Sequence, residues 1–200
     1  MRTWFAAAGF LALSVPAHAD PAAVAAATYG PYSLSPPTSE IVFICHGFGC
    51  KYRTEVDLTA DDHAMLAKLL APGKASAAAE RRATAAAGAW FDRRIGPAAG
   101  TENHVAAAGT KYMFNRSQFD CIDASRNTTS LLLLLEELKL LRYHQVEVPQ
   151  SRGLMIDGRP FHTTAVLIET GSGVKWAVDS WTRGYGQAPE VMPLERWLIE

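Results

Sequence analysis

Ser117-Gln118-Phe119-Asp120-Cys121-Ile122-Asp123-Ala124-Ser125 leads into the leucine block 131–135, and the apolar run continues through Leu138, Leu140 and Leu141 to Tyr143. Ser117 stands three residues ahead of Asp120 in capping-box spacing, and Lys139, Arg142 and His144 follow at the far end, where cations complement a helix dipole. The stretch is therefore expected to be a helix. Apolar residues point in nearly every direction around its second half, so the helix is expected to be enclosed by other elements. Glu136, Glu137 and Lys139 interrupt the run well short of a membrane span. Cys121 falls in the first turn, where free backbone amides and the positive dipole end favour a thiolate.

The chain has 200 residues, enough for one domain with a sizeable core. Its 19 Lys and Arg against 20 Asp and Glu give a net charge of −1, so nothing in the balance calls for nucleic acid or an anionic membrane. Arg2 precedes an apolar run from Trp4 to Val15, and Ala17-His18-Ala19 offers the small-x-small pattern that signal peptidase cuts. Residues 1–19 are thus expected to be a Sec signal peptide cleaved after Ala19, leaving a periplasmic or secreted protein without a membrane span. Residues 20–40, alanine-rich and then carrying Pro31, Pro36 and Pro37, read as a flexible, weakly structured arm. Residues 41–200 read as a single domain.

An oxidising compartment makes three cysteines informative, because an odd number cannot all pair within one chain. Cys45 and Cys50 are close, with Gly47 and Gly49 between them to let the loop fold back, and are expected to form a small disulfide. Cys121 is then a free thiol. Pairing of Cys121 with Cys45 or Cys50, and metal binding by Cys45, His46 and Cys50, are the alternatives, although no fourth zinc ligand at a recognisable spacing is visible. No metal or other cofactor is expected.

Along the chain, 41–44 is a short apolar run suited to a buried strand, and 54–58 extends or pairs with it. Thr59 with Asp62 opens a helix to about Leu70, closed by Pro72-Gly73, and a second helix is expected over 76–94, with Gly96, Pro97 and Gly100 marking a loop. After the leucine block the period changes. Segments 146–148, 153–156, 162–169 and 174–180 carry β-branched and aromatic residues between the turn signals Asp157-Gly158 and Gly171-Ser172-Gly173. Helices first and an antiparallel sheet afterwards indicate an α+β fold.

The last hairpin aligns chemistry. With a two- or four-residue loop around Gly171-Ser172, Glu169 opposes Val174, and counting outward places Asp179 opposite Thr164. His162, two residues from Thr164, shares its face and becomes a diagonal neighbour of Asp179. A cysteine at a helix start with a histidine and an aspartate on adjacent strands is the set of parts for thiol catalysis, in which the imidazole takes the thiol proton and the carboxylate fixes the ring. For the oxyanion, the Cys121 backbone amide is one candidate donor, and Gln118 or Asn115 the other. Trp181, Arg183, Tyr185 and Trp197 either line the cleft or cover the core edge, and Pro193 starts a short final helix through Trp197.

At these residues the chain resembles the transglutaminase-like superfamily of papain-type cysteine enzymes, whose chain order is cysteine, histidine, aspartate. It resembles in particular the exported bacterial transglutaminase-like cysteine peptidases, whose Asp-Cys-x-Asp signature is matched by Asp120-Cys121-Ile122-Asp123. The likeness covers roughly 113–181, less than half of the chain. It implies a buried helix packed on an antiparallel sheet, with Cys121 as nucleophile, His162 as base and Asp179 as orienting group. Its substrate would be a peptide or protein of the cell envelope. Two positions depart: Phe119 replaces a glycine common two residues before the cysteine, and Ile122 replaces an acidic residue common directly after it, which weakens any case for calcium at this turn. Transfer to an amine, and a non-catalytic binding domain of the same fold, are the alternative functions.

Overall fold

In the computed structural model, residues 20–153 and 160–200 are described. The expected signal peptide and the expected strand and turn within 154–159 lie outside them. The described elements run, in chain order, α1 (Pro21–Tyr29), β1 (Ile41–His46), β2 (Tyr52–Asp57), α2 (Ala60–Leu70), α3 (Ala77–Ala99), α4 (Cys121–Glu137), β3 (His144–Arg152), β4 (His162–Glu169), β5 (Lys175–Asp179), β6 (Glu190–Pro193) and α5 (Leu194–Ile199). Strands β1 and β2 form an antiparallel pair, and β3-β4-β5-β6 form a four-stranded antiparallel sheet, so the class is α+β. No described helix is long and apolar enough to cross a membrane.

Helix α4 lies between the two sheets and buries both flanks. Leu131, Leu134 and Leu135 join Val42, Ile44 and Val56 of the small sheet and Phe91 and Ile95 of α3 in one core. Leu132 and Leu133 join Val24, Val146, Leu167 and Val178 in a second. The leucine block therefore fills two cores at once, as its all-round apolarity requires. On the far face of the larger sheet, Val166 and Ala177 pack under Leu194 and Trp197 of α5.

The ends of α4 differ from the sequence reading. Its N-cap is Asp120, not Ser117, and the capping box is formed by Asp120 and Asp123. It stops at Glu137: Lys139 adopts φ +56°, and Leu140 N–H returns to Leu135 O at 2.8 Å, so Leu138, Leu140 and Leu141 reach the core from a turn. His144 is no helix cap. It opens β3, buried, with Nδ1 2.9 Å from Oε1 of Glu80, whose carboxylate also accepts the N–H groups of Arg142, Tyr143 and His144.

Two further expectations are corrected. Residues 21–29 of the expected arm are helical, with Asp20 as side-chain N-cap and Pro21 in the first turn. Val24, Ala25 and Tyr29 of this helix are buried, and Tyr29 Oη shares a 2.8 Å hydrogen bond with Ser130 Oγ of α4. Helix α3 runs through Gly96 and Pro97 to Ala99, ending on the left-handed Gly100. Pro97 has no N–H for Arg93 O, and the Tyr185 hydroxyl donates to that carbonyl instead, at 3.3 Å. Gly96 lets Tyr185 approach: a Cβ there would lie 2.5 Å from the ring. Gly96→Ala is expected to cost about 1 kcal/mol, the low end for overpacking because the ring can shift. Chemical denaturation is the check, with an unchanged midpoint counting against the contact.

Candidate active site

The β4–β5 register pairs Ile168 with Lys175, Leu167 with Trp176 and Ala165 with Val178, and Glu169 N–H donates to Val174 O. The same count sets Asp179 opposite Thr164, as the loop parity predicted. His162 Nε2 lies 2.5 Å from Asp179 Oδ2, with both side chains buried. Asp179 gathers two more donors, Trp197 Nε1 at 2.9 Å on Oδ2 and Trp181 N at 3.2 Å on Oδ1. The rings of Trp181 and Trp197 pack 4.8 and 5.2 Å from the His162 ring, and Arg152, opposite His162 on β3, covers Trp197 and donates to its carbonyl. Trp197 therefore packs against the His162–Asp179 pair, the first of the two placements its sequence position left open.

Cys121 is the first residue of α4 and a free thiol, 7 % exposed. Its Sγ lies 4.0 Å from Phe161 O and is also within reach of the Thr163 N–H. The thiol thus meets the backbone on either side of His162, beyond Ala165, where the β4–β5 pairing ends. With Nε2–H donated to Asp179, the neutral ring presents Nδ1 as a bare acceptor. That Nδ1 is buried and has no hydrogen-bond partner among the described residues.

The expected thiolate is not favoured in this arrangement. Burial pushes the Cys121 thiol up to about 11, and the carboxylates of Asp120 and Asp179 push the same way, while the Thr163 and Cys121 amides oppose them. The helix-end field is real but smaller than the loss of water.

The aspartates of the Asp-Cys-x-Asp signature act on the neighbouring loop. Cys45 and Cys50 are disulfide-bonded, which removes both the metal reading and pairing with Cys121. Gly47, Phe48, Gly49 and Cys50 all have φ between 57° and 78°. Such a run turns successive N–H groups inward into an anion-binding nest, and the anions are side chains of α4. Phe48 N and Cys50 N donate to Asp123 at 2.7 and 2.6 Å, and Gly49 N to Asp120 Oδ2 at 2.9 Å. Asp123 is fully buried, and burial followed by the adjacent Asp120 raises its carboxyl to about 7. His46, held by Arg116 O and Thr54 Oγ1, belongs to the same scaffold.

The side-chain oxyanion candidates are engaged elsewhere. Gln118 Nε2 donates to Asn103 O and Ser117 Oγ, and its Oε1 accepts from Val105 N, so this side chain braces the preceding loop. Asn115 is exposed, with Oδ1 accepting from Ser117 N and Oγ. Trp181 Nε1 is instead a buried donor, beside His162, without a partner among the described residues. Of the other tail residues, Arg183 pairs with Glu190 and Tyr185 braces α3, so neither lines the thiol.

An apolar cavity of about 40 Å³ lies between α3 and α4, lined by Phe91, Phe119, Ala124, Thr128 and Ser180. Cys121, Ala124 and Thr128 share one stripe of α4, so the cavity runs along the Cys121 side of the helix. Its size suits a few waters or a small side chain. No group of His, Cys, Asp and Glu among the described residues is arranged to hold a metal ion. The chain matches no family model, no curated protein and no solved structure.

Proposed function

We propose that this protein is an exported cysteine hydrolase of the transglutaminase-like type, cutting peptide or amide bonds through Cys121, His162 and Asp179. One observation carries the reading: a buried imidazole has one nitrogen held by a carboxylate and the other without a partner among the described residues, and a free thiol meets the backbone on either side of that histidine. Buried polar atoms in folded proteins nearly always find partners, and an orphan calls for a reason. Here the reason is a proton that moves. The reading requires Sγ–H of Cys121 to reach Nδ1, where the imidazole takes the proton and Asp179 supports the imidazolium. The thiolate then attacks the substrate carbonyl. The C–N bond breaks, the amine leaves with the imidazolium proton, and a thioester remains. Water, giving its proton to Nδ1, releases the acid and restores the thiol. An amine in place of water would make the same site an acyl transferase. A disulfide in the chain supports an oxidising compartment.

A second reading, a binding domain that keeps this fold without turnover, draws on the burial of Cys121 and its raised titration. Alkylation separates the two. On the hydrolase reading, pairing with the His162 imidazolium outweighs burial, and iodoacetamide labelling of Cys121, located by mass spectrometry, proceeds at about pH 6 in the unaltered protein, well below the ordinary thiol range. In His162→Ala it is expected to be confined to strongly alkaline pH. Labelling of both proteins only at alkaline pH would remove the hydrolase and leave the binding domain.

A further inference from the structure

Beside the disulfide loop the chain builds a surface that the triad does not use. Lys51 Nζ lies 4.0 Å from the centre of the Phe114 ring and 5.6 Å from that of Tyr52, and the Arg116 guanidinium covers the same Tyr52 ring at 4.4 Å. Just upstream, Lys111 lies 4.9 Å from the Tyr112 ring. None of these three cations takes part in the ion pairs of the described residues. The two segments that supply them, 46–54 and 103–119, contain no Asp or Glu at all, in a chain of net charge −1. The Asp120 and Asp123 carboxylates adjoin this loop but are held by its 48–50 amides, and neither pairs with Lys51, Lys111 or Arg116, whose charges are left facing outward.

Phe114 is 59 % exposed and holds φ +69°, and Met113 beside it is 47 % exposed. A bulky residue in the left-handed region costs free energy, and such strain persists where it serves a site. Here it accompanies a ring open to solvent and backed by an ammonium group. The patch also adjoins the nucleophile. Gly47 N donates to Gln118 O, Gly49 N to the N-cap Asp120, and Arg116 precedes Cys121 by five residues. The exposed Phe114 ring and the half-buried Tyr52 ring, flanked by cations without an ion pair, fit a partner that alternates carboxylates with apolar groups.

The geometry points to a recognition surface for an acidic polypeptide segment, centred on Lys51, Tyr52, Phe114 and Arg116. Its role as the approach of substrate to Cys121 rests on the hydrolase reading; the binding itself does not. Charge complementarity selects polypeptide carboxylates, with the rings covering the apolar positions between them.

The test uses the Cys121→Ser protein and three fluorescein-labelled peptides of equal length. One alternates Glu with Ala and Phe, one has Gln for Glu, and one has Lys for Glu. Anisotropy is expected to show binding of the Glu peptide alone. Affinity should fall about tenfold or more between about 0.05 and about 0.5 M salt. It should fall by a similar factor on combining Lys51→Glu with Arg116→Glu, exposed positions whose replacement leaves the circular dichroism unchanged. Equal binding of the Gln peptide, or indifference to the charge reversals, would overturn the surface. So would binding of phosphatidylserine vesicles through the same residues without binding of the peptide. In the unaltered protein the bound Glu peptide should slow Cys121 alkylation, and an unchanged rate would overturn the substrate path. A failed hydrolase reading shows separately, as charge-dependent binding without His162-dependent labelling.

Discussion

Asp179→Ala is expected to slow the His162-dependent alkylation of Cys121 at about pH 6 by about 10²-fold or more, the scale of a positioned base. Three donors converge on this carboxylate: His162 Nε2, Trp197 Nε1 and Trp181 N. Removing it leaves Nε2 and two buried N–H groups without an acceptor, and frees the ring to place its proton on Nδ1, where it blocks transfer from the thiol. Asp179→Asn should behave differently. Two of the donors meet on Oδ2, so the amide oxygen settles there and the NH₂ group is left facing the Trp181 amide. The productive tautomer survives while the charge that supports the imidazolium is lost. Labelling intermediate between the unaltered protein and Asp179→Ala is therefore the expected order. Equal rates in all three proteins would show that Asp179 only packs against its neighbours.

Asp123→Ala is expected to destabilise the fold by about 3 kcal/mol or more, since it leaves three backbone donors without their acceptor and each such buried group costs ~1–3 kcal/mol. Asp123 accepts from Phe48, Cys50 and Asp120. For a chain of this size the loss corresponds to a fall in Tm of about 6–12 °C. The pH dependence adds a sign. Asp123 titrates at about 7 in the fold, raised chiefly by burial and then by Asp120, against about 3.9 in an unfolded chain. The native state therefore binds the proton more tightly. Stability from this group is complete below about pH 4 and is lost as pH rises through 7. The gap between the unaltered protein and Asp123→Ala should be widest in acid and narrow toward neutrality. A gap that widens with pH would mean that the nest lowers the carboxyl titration instead.

How much was legible in the sequence depended on the distance between partners. The Thr59 and Asp62 capping box and the hairpin parity that aligns His162 with Asp179 involve near neighbours or simple alternation, and both were readable. Cys45 and Cys50 were readable from five residues of spacing. Helix α1 was missed although Asp20-Pro21 is a proper start, because alanines supply little bulk and the later prolines dominated the reading. Pro97 ended the expected helix too early because the hydroxyl that satisfies Arg93 O comes from Tyr185, about ninety residues on. Gln118 seemed free to bind an oxyanion because its partners at Asn103 and Val105 occupy a loop without periodicity. The thiol was read from its helix end alone, and burial, a property of the assembled fold, outweighed that end.

The enclosure of α4 also bears on how the chain reaches this state. Tyr29 lies 101 residues before its partner Ser130, Asn127 is hydrogen-bonded to Cys45 82 residues upstream, and Thr128 meets Ser180 52 residues downstream. Loops of that length must close before the leucine block is covered from either side, which places the protein among slow folders. Until then residues 131–135 form a sticky segment in an incompletely folded chain, and refolding yield should fall steeply with protein concentration.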